Sequence, residues 1–422
     1  MAKVYTTRYL EAQRSSGYKN SAMALAELVD NSFDAKAKNV EILFITKSYR
    51  GRPQVHEILV ADDGNGMDRE AAEGCLGFGV SEDDDAHIKD VKRIGKFGVG
   101  LSQASQSQCR RFEIYSWQNN KNYHQYFDYD CEKFMASFQN NEFLPVQENE
   151  APSEYISNIT NYNSESGCIV RWSNCDRLSH ITAEANIAHC NKILGRIYRY
   201  KIESGEYNVN FTILRRNEDG SLIKQGSSKK AIAFDPLFLM QKTTTAQEIY
   251  KAANDNSVSA ESYRKYVISE NECKPTSEKR PERCFQGSFK YQEKDYKYKV
   301  LTTTAQIDIT KPGVRNGGNT DVGKIYLQKA NVGNIYFVRG GREIDCGHFG
   351  DFYTKTAPEM RFVSLEIQFD NDMDDLFGVS NNKQGVAFWQ ILECPEWNDD
   401  DQGDYNENYA QKYFWYVLSN QI

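Results

Sequence analysis

Glu27 and Asn31 stand four residues apart in Glu27-Leu-Val-Asp-Asn31-Ser-Phe-Asp34-Ala35, the first of three polar or glycine clusters spread over residues 27–100. Residues 21–35 hold no Pro or Gly and read as one helix. At 3.6 residues per turn, Glu27, Asn31 and Asp34 share a face, while Leu25, Leu28, Val29 and Ser32 cluster opposite. Asn and Asp propagate a helix less well than Lys, Glu or Gln. Their place in mid-helix therefore points to work other than helix stability, namely presenting a carboxylate and an amide oxygen side by side.

The second cluster, Asp62-Asp63-Gly64-Asn65-Gly66-Met67, follows an apolar run over residues 57–61 that reads as a buried strand. Glycine at 64 and 66 permits positive φ and close backbone approach, so a flat ligand can lie against the chain with Asp62 at its edge, where adenine offers an amine. The third cluster is Gly95-Lys96-Phe97-Gly98-Val99-Gly100, before a helix start at residues 101–105. Backbone N–H groups and a helix N-terminus there suit a phosphate, and Lys96 adds a point charge. Taken singly, the three also fit a solvated helix face, an Asp-Gly turn and a glycine linker. Neither glycine cluster has the spacing of a dinucleotide fingerprint, and no Walker loop occurs.

Taken together and in this order, the clusters resemble the GHKL ATPases, the superfamily of gyrase B, the heat-shock chaperone of the same fold, the mismatch-repair protein MutL, histidine kinases and MORC proteins. The resemblance rests on Glu-x-x-x-Asn-x-x-Asp-Ala, Asp-x-Gly-x-Gly and Gly-x-x-Gly-x-Gly. It implies that Glu27 activates the attacking water, Asn31 binds Mg2+ and Asp62 receives the adenine amine. Gly64, Gly66 and Met67 would line the base pocket, with Asp34 and Ala35 part of the nucleotide-binding motif. Lys96 and the amides of Phe97 to Gly100 would lie over the phosphates, and residues 68–100 would form an ATP lid. The acidic run Glu82-Asp83-Asp84-Asp85 belongs on the solvent side, since four carboxylates would repel a triphosphate. Glu27 favours hydrolysis over phosphotransfer, because histidine kinases generally lack that glutamate.

A cation is also needed for charge developing at the γ-phosphate. Phe377-Gly-Val-Ser-Asn-Asn382-Lys383-Gln384 resembles the Asn-Lys-Gln of MORC proteins and the lysine loop of the gyrase and MutL transducer, which implies that Lys383 senses the γ-phosphate. With the run Ile335-Tyr-Phe-Val-Arg-Gly-Gly-Arg-Glu-Ile344, it makes the chain most like a compact prokaryotic MORC-like ATPase without zinc-finger or coiled-coil extension.

The 422 residues are 40% hydrophobic and 26% charged, enough for two or three domains with real cores. There is no apolar stretch of membrane-spanning length and no N-terminal signal pattern, so a cytoplasmic location is expected. Ten cysteines without a Cys-x-x-Cys pair read as reduced thiols, and Cys175, His180, His189 and Cys190 fit no common zinc spacing. A net charge of −8 provides no global pull toward nucleic acid, although Lys3, Arg8, Arg14 and Lys19 make the N-terminal arm basic, as residues 274–283 are.

Strand-like runs over residues 40–46, 55–61, 111–117, 123–129 and 167–172, with one long helix over 181–202, predict an α+β architecture, helices on one face of a mixed sheet over residues 1–203, and the resemblance makes this a GHKL-type α/β sandwich. A period-two run at 207–214 opens a second domain, 204–394, with further strands at 285–291, 296–303, 324–328, 335–339 and 362–369 and helices at 246–254 and 260–267. This resembles the transducer domain of the gyrase, MutL and MORC branch, which implies a small α/β domain of ribosomal-protein-like fold. An acidic loop and a helix at 409–418 fill residues 395–422. The resemblance implies an ATP-dependent homodimer that clamps DNA or, alternatively, a chaperone-like or regulatory subunit acting on a protein partner.

Overall fold

The computed structural model describes residues 14, 17–76, 100–139, 146–237, 240, 242–252, 273–275, 284–291, 294–304, 334–347, 363–380, 385–387 and 407–421. It divides into two compact units, Met1–Gly195 with Ser204–Ala231, and Arg196–Glu203 with Ile232–Ile422.

Helix α1, Ser21–Asp34, opens the first unit, its start fixed by the Asn20 side chain, which accepts from the Met23 amide at 3.0 Å. It is buried nearly all round: Glu27 and Asp30 are shielded along with Leu25, Leu28 and Val29. Strands β1, Asn39–Tyr49, and β2, Arg52–Asp62, form a hairpin that turns at Arg50 (φ 50°) and Gly51 (φ 76°). Then follow α2 (Arg69–Gly74), α3 (Gly100–Gln108), β3 (Cys109–Gln118), β4 (Lys121–Asp128), α4 (Glu132–Gln139), α5 (Ser153–Ile156), β5 (Ser166–Cys175) and α6 (Ala183–Ile197). After α7, Arg199–Ser204, come β6 (Asn208–Arg216), β7 (Leu222–Lys224) and β8 (Lys229–Lys230).

These strands make one mixed sheet in the order β4-β3-β5-β2-β1-β6-β7, with β8 also pairing β6. Only β1 and β6 run parallel among these pairs. Leu43, Ile45, Leu59, Tyr115, Trp117, Ile169 and Leu214 pack on one face against Ala151 and Tyr155. On the other, the Trp172 indole donates to Ser105 Oγ of α3 at 2.8 Å, and Trp172 is fully enclosed. Each such large side chain contributes about 1.5–3 kcal/mol through burial.

Two sequence expectations are corrected here. The run at 207–214 does not open the second domain: as β6 it lies beside β1, with Asn39 opposite Asn208 and Thr46 opposite Arg215, and residues 204–231 belong to the first unit. A parallel partner about 170 positions away leaves no local mark in the chain. The single helix expected over 181–202 is two, α6 ending at Ile197 and α7 beginning at Arg199, and the segment Arg196–Glu203 belongs to the second unit.

The second unit holds α8 (Thr244–Ala252), β9 (Cys273–Pro275), β10 (Cys284–Tyr291), β11 (Lys294–Thr304), β12 (Ile335–Arg339), β13 (Arg342–Gly347), β14 (Val363–Phe369), α9 (Asp374–Phe377) and α10 (Glu407–Gln421). Its sheet order is β13-β12-β14-β11-β10-β9. Helix α10 presents Phe414, Trp415 and Leu418 to Phe337, Ile367, Phe369 and Phe377. Arg199 is fully buried in this unit, between the carboxylates of Glu343 and Glu366, and Tyr200 donates its hydroxyl to Glu366. The expected elements at 324–328 and 260–267 and the acidic run at 396–404 lie outside the described residues.

Candidate active site

Glu27 sits in mid-α1 with 4% of its surface exposed. Gly100, the first residue of α3, lies directly on it, so close that a Cβ built there would overlap the Glu27 carboxylate. The last glycine of the third cluster thus meets the carboxylate of the first, across 73 positions of chain. One turn on, Asn31 is half-buried, and its carboxamide makes no hydrogen bond to a described residue. Asp34 and Ala35 end the helix, both half-buried.

Asp62 closes β2. Its Oδ2 accepts from Ser32 Oγ at 2.9 Å and its Oδ1 from the Gly64 amide at 2.9 Å. The Asn65 amide donates to the Ala35 carbonyl at 2.8 Å, and a Cβ on Gly64 would crowd that same carbonyl. The two clusters are therefore joined through backbone where only glycine fits. Gly66, at φ 68°, presses on the Trp117 carbonyl, which again excludes a side chain. The Met67 amide donates to Ser116 Oγ at 2.8 Å, and the Met67 side chain packs on Ala72, Tyr123 and Val146. Desolvation pushes the Asp62 carboxyl up to about 6 against the pull of the Gly64 and Ser32 hydrogen bonds. Asp63 faces away from this group and staples the strands, accepting from the Lys38 and Asn39 amides at 2.8 and 2.9 Å.

The structure brings Glu27, Asp62, Gly64 and Gly100 around the α1–β2 junction, with Asn31, Asp34, Ala35, Gly66 and Met67 on the same elements. Gly95, Lys96, Phe97, Gly98, Val99 and Lys383 lie outside the described residues. Sequence reasoning set Ser32 among the apolar side chains and missed its bond to Asp62. It also passed over Asp63, Trp117 and Gly167, where an added Cβ would collide with the Asp62 carbonyl.

The residues present fit ATP and Mg2+. Each Asp62 oxygen accepts one protein hydrogen bond and keeps lone-pair capacity for an amine. The Ser102 hydroxyl, two residues past Gly100, is buried without a hydrogen-bond partner among the described residues. No group of three or more His, Cys, Asp or Glu clusters for a metal among the described residues, but a nucleotide-bound Mg2+ takes most of its oxygens from phosphate and water. His180 Nε2 and His189 Nδ1 lie 3.0 Å apart, the seven described cysteines are free thiols, and no described helix is long and apolar enough to cross a membrane.

Residues 18–165 match the family described as histidine kinase-, DNA gyrase B-, and HSP90-like ATPase. The chain is similar to Protein MICRORCHIDIA 6 of Arabidopsis thaliana, 31% identical over 91 residues, which cover 22% of this chain and 13% of that protein. The solved N-terminal domain of a DNA repair protein overlaps 97% of this chain and 96% of its own length, with 15% identity and a TM-score of 0.43. The motifs, the mixed α/β fold that joins them and the match over residues 18–165 identify a GHKL-type ATPase domain within the first unit.

Proposed function

We propose that the chain is a slow Mg2+-dependent ATP hydrolase whose nucleotide binding closes a lid over residues 68–100, drives dimerisation through the first unit and so operates a clamp on DNA in the cytoplasm. The observation that carries the hydrolytic part is the contact of Gly100 with the buried Glu27 carboxylate. In this reading Asp62 accepts the adenine amine while Ser32 and the Gly64 amide hold its carboxylate in place. Glu27 orients and deprotonates the attacking water, in a setting dry enough to strengthen each electrostatic contact. The glycine loop ending at Gly100 places backbone amides over the phosphates, and Lys383 meets the charge that develops at the terminal one. Mg2+, held by Asn31, supplies neutralisation of the triphosphate.

Phosphate release measured against protein concentration tests this directly, together with sizing with and without a non-hydrolysable ATP analogue and with plasmid DNA. The rate per chain should rise with concentration, and the analogue should convert monomer to a dimer that retains plasmid. A constant rate from a particle that stays monomeric with analogue would remove the clamp. A dimer that ignores plasmid would turn the reading to a protein client.

A further inference from the structure

The first unit pairs its arginines closely with acids: Arg14 with Asp176, Arg110 with Asp130, Arg171 with Glu57, Arg216 with Glu57 and Glu154. At one end of its sheet the pattern stops. Lys47, Arg50 and Arg52 at the β1–β2 tip are exposed, and so are Arg215, Lys224, Lys229 and Lys230 along β6, β7 and β8; none forms an ion pair with a described residue. Strand register makes these one strip. Thr46 of β1 stands beside Arg215 of β6, Arg215 lies opposite Ile223 of β7, and Lys229 and Lys230 lie opposite Phe211 and Asn210.

At about 3.3 Å per residue the strip runs roughly 30 Å from Lys230 to Arg50, close to the ~34 Å turn of duplex DNA. Seven cations there face two exposed acids, Glu218 and Asp219 of the β6–β7 turn, and Asp219 already accepts from Ser221. This stands out in a chain of net charge −8. Two large apolar side chains join the strip: Tyr49, 56% exposed beneath the Arg50 guanidinium, and Ile223, 45% exposed. They are too few to insert into a bilayer but suffice to pack on sugar or base.

We propose that this edge, from the β1–β2 tip across β6 to β7 and β8, is the docking surface for the phosphodiester backbone of duplex DNA. The assignment rests on the reading of the chain as a DNA clamp and says where the clamp takes hold. Its length and repeated positive charge match a regular polyanion. Binding through it is therefore sequence-independent and strongly salt-dependent.

The test is fluorescence anisotropy of a labelled 20-base-pair duplex with the full chain between 50 and 200 mM salt. Two charge-reversed triples, Lys47→Glu/Arg50→Glu/Arg52→Glu and Lys224→Glu/Lys229→Glu/Lys230→Glu, are compared with Lys121→Glu/Lys133→Glu, on the far-edge strand β4 and the helix α4 that follows it. Each triple should weaken binding at least tenfold and lower the log–log salt slope by about 2–3, with melting temperature and phosphate release unchanged; the far-edge variant should stay within about twofold of wild type. If the triples bind as wild type does, or the far-edge variant loses as much, the placement fails while the clamp reading stands. If wild-type protein binds phosphatidylserine vesicles and no duplex, both fail.

Discussion

Burial imposes an electrostatic penalty on the charged form of Asp62. Its carboxyl is raised from 3.8 to about 6, so the fold favours the neutral form. That contribution to stability is complete below the unfolded value near 4 and is lost as pH rises through about 6. Asp62→Asn removes the titration while keeping an acceptor for the Gly64 amide, so the variant should melt no lower than wild type at pH 7 and show a flatter melting profile between pH 4 and 7. A drop of several degrees at pH 7 would mean that the carboxylate is structural. Nucleotide affinity should have the opposite pH dependence, falling about tenfold per unit below pH 6, because a protonated carboxyl no longer accepts as an anion from an amine. Glu27→Gln keeps the volume and loses the base. It should bind ATP as wild type does and release phosphate at least 100-fold more slowly; unchanged release would remove Glu27 from the chemistry. Glu27, Asn31 and Asp62 were legible because their types conflict with their local elements, an amide in mid-helix and an acid at the end of an apolar run. Ser32 was not, since its wheel position beside Leu25 and Leu28 reads as core, and its partner lies 30 residues away in a turn that exists only after β2 pairs.

At the scale of elements, α1 and α3 must stay in register for Gly100 to rest on Glu27. Gly100→Ala inserts a methyl into that contact, and the lesser movement is of the carboxylate. Turnover should therefore fall by ten-fold or more with a smaller change in nucleotide affinity; equal losses in both would indicate that the helix has moved instead. In the second unit, Arg199 holds α7 through two buried carboxylates, Glu343 and Glu366. Arg199→Ala would leave Glu366 without a cation and Glu343 with Arg196 alone, and cost about 3–5 kcal/mol, read as accelerated hydrogen exchange across β12 and β14; exchange unchanged there would contradict this role. Strands were legible where apolar runs met turn residues, as at β2, β10 and β12. The split of α6 and α7 was not, because residues 181–202 keep helical composition and the break at Tyr198 is set by what Arg199 reaches in the folded unit.

For the molecule as a whole, the chain runs through the first unit, leaves it for Arg196–Glu203 and returns for β6, β7 and β8. Sequence order alone suggests two domains laid end to end, and the boundary near 203 follows from reading β6 by its neighbours in the chain. Its neighbour in space, β1, is recognisable only from coordinates. The same crossing joins the basic strip on β6–β8 to the tip of β1–β2, so the edge assigned to DNA was invisible as a charge run. The central claim at this scale is that clusters spread over residues 27–100 converge on a single nucleotide. Calorimetric titration of a non-hydrolysable ATP analogue with Mg2+ into wild-type protein and Asp62→Asn tests it most directly. Wild type should bind one nucleotide per chain and the variant at least 100-fold more weakly, with its melting temperature intact; no binding by wild type, or equal affinity in the two, would refute the convergence.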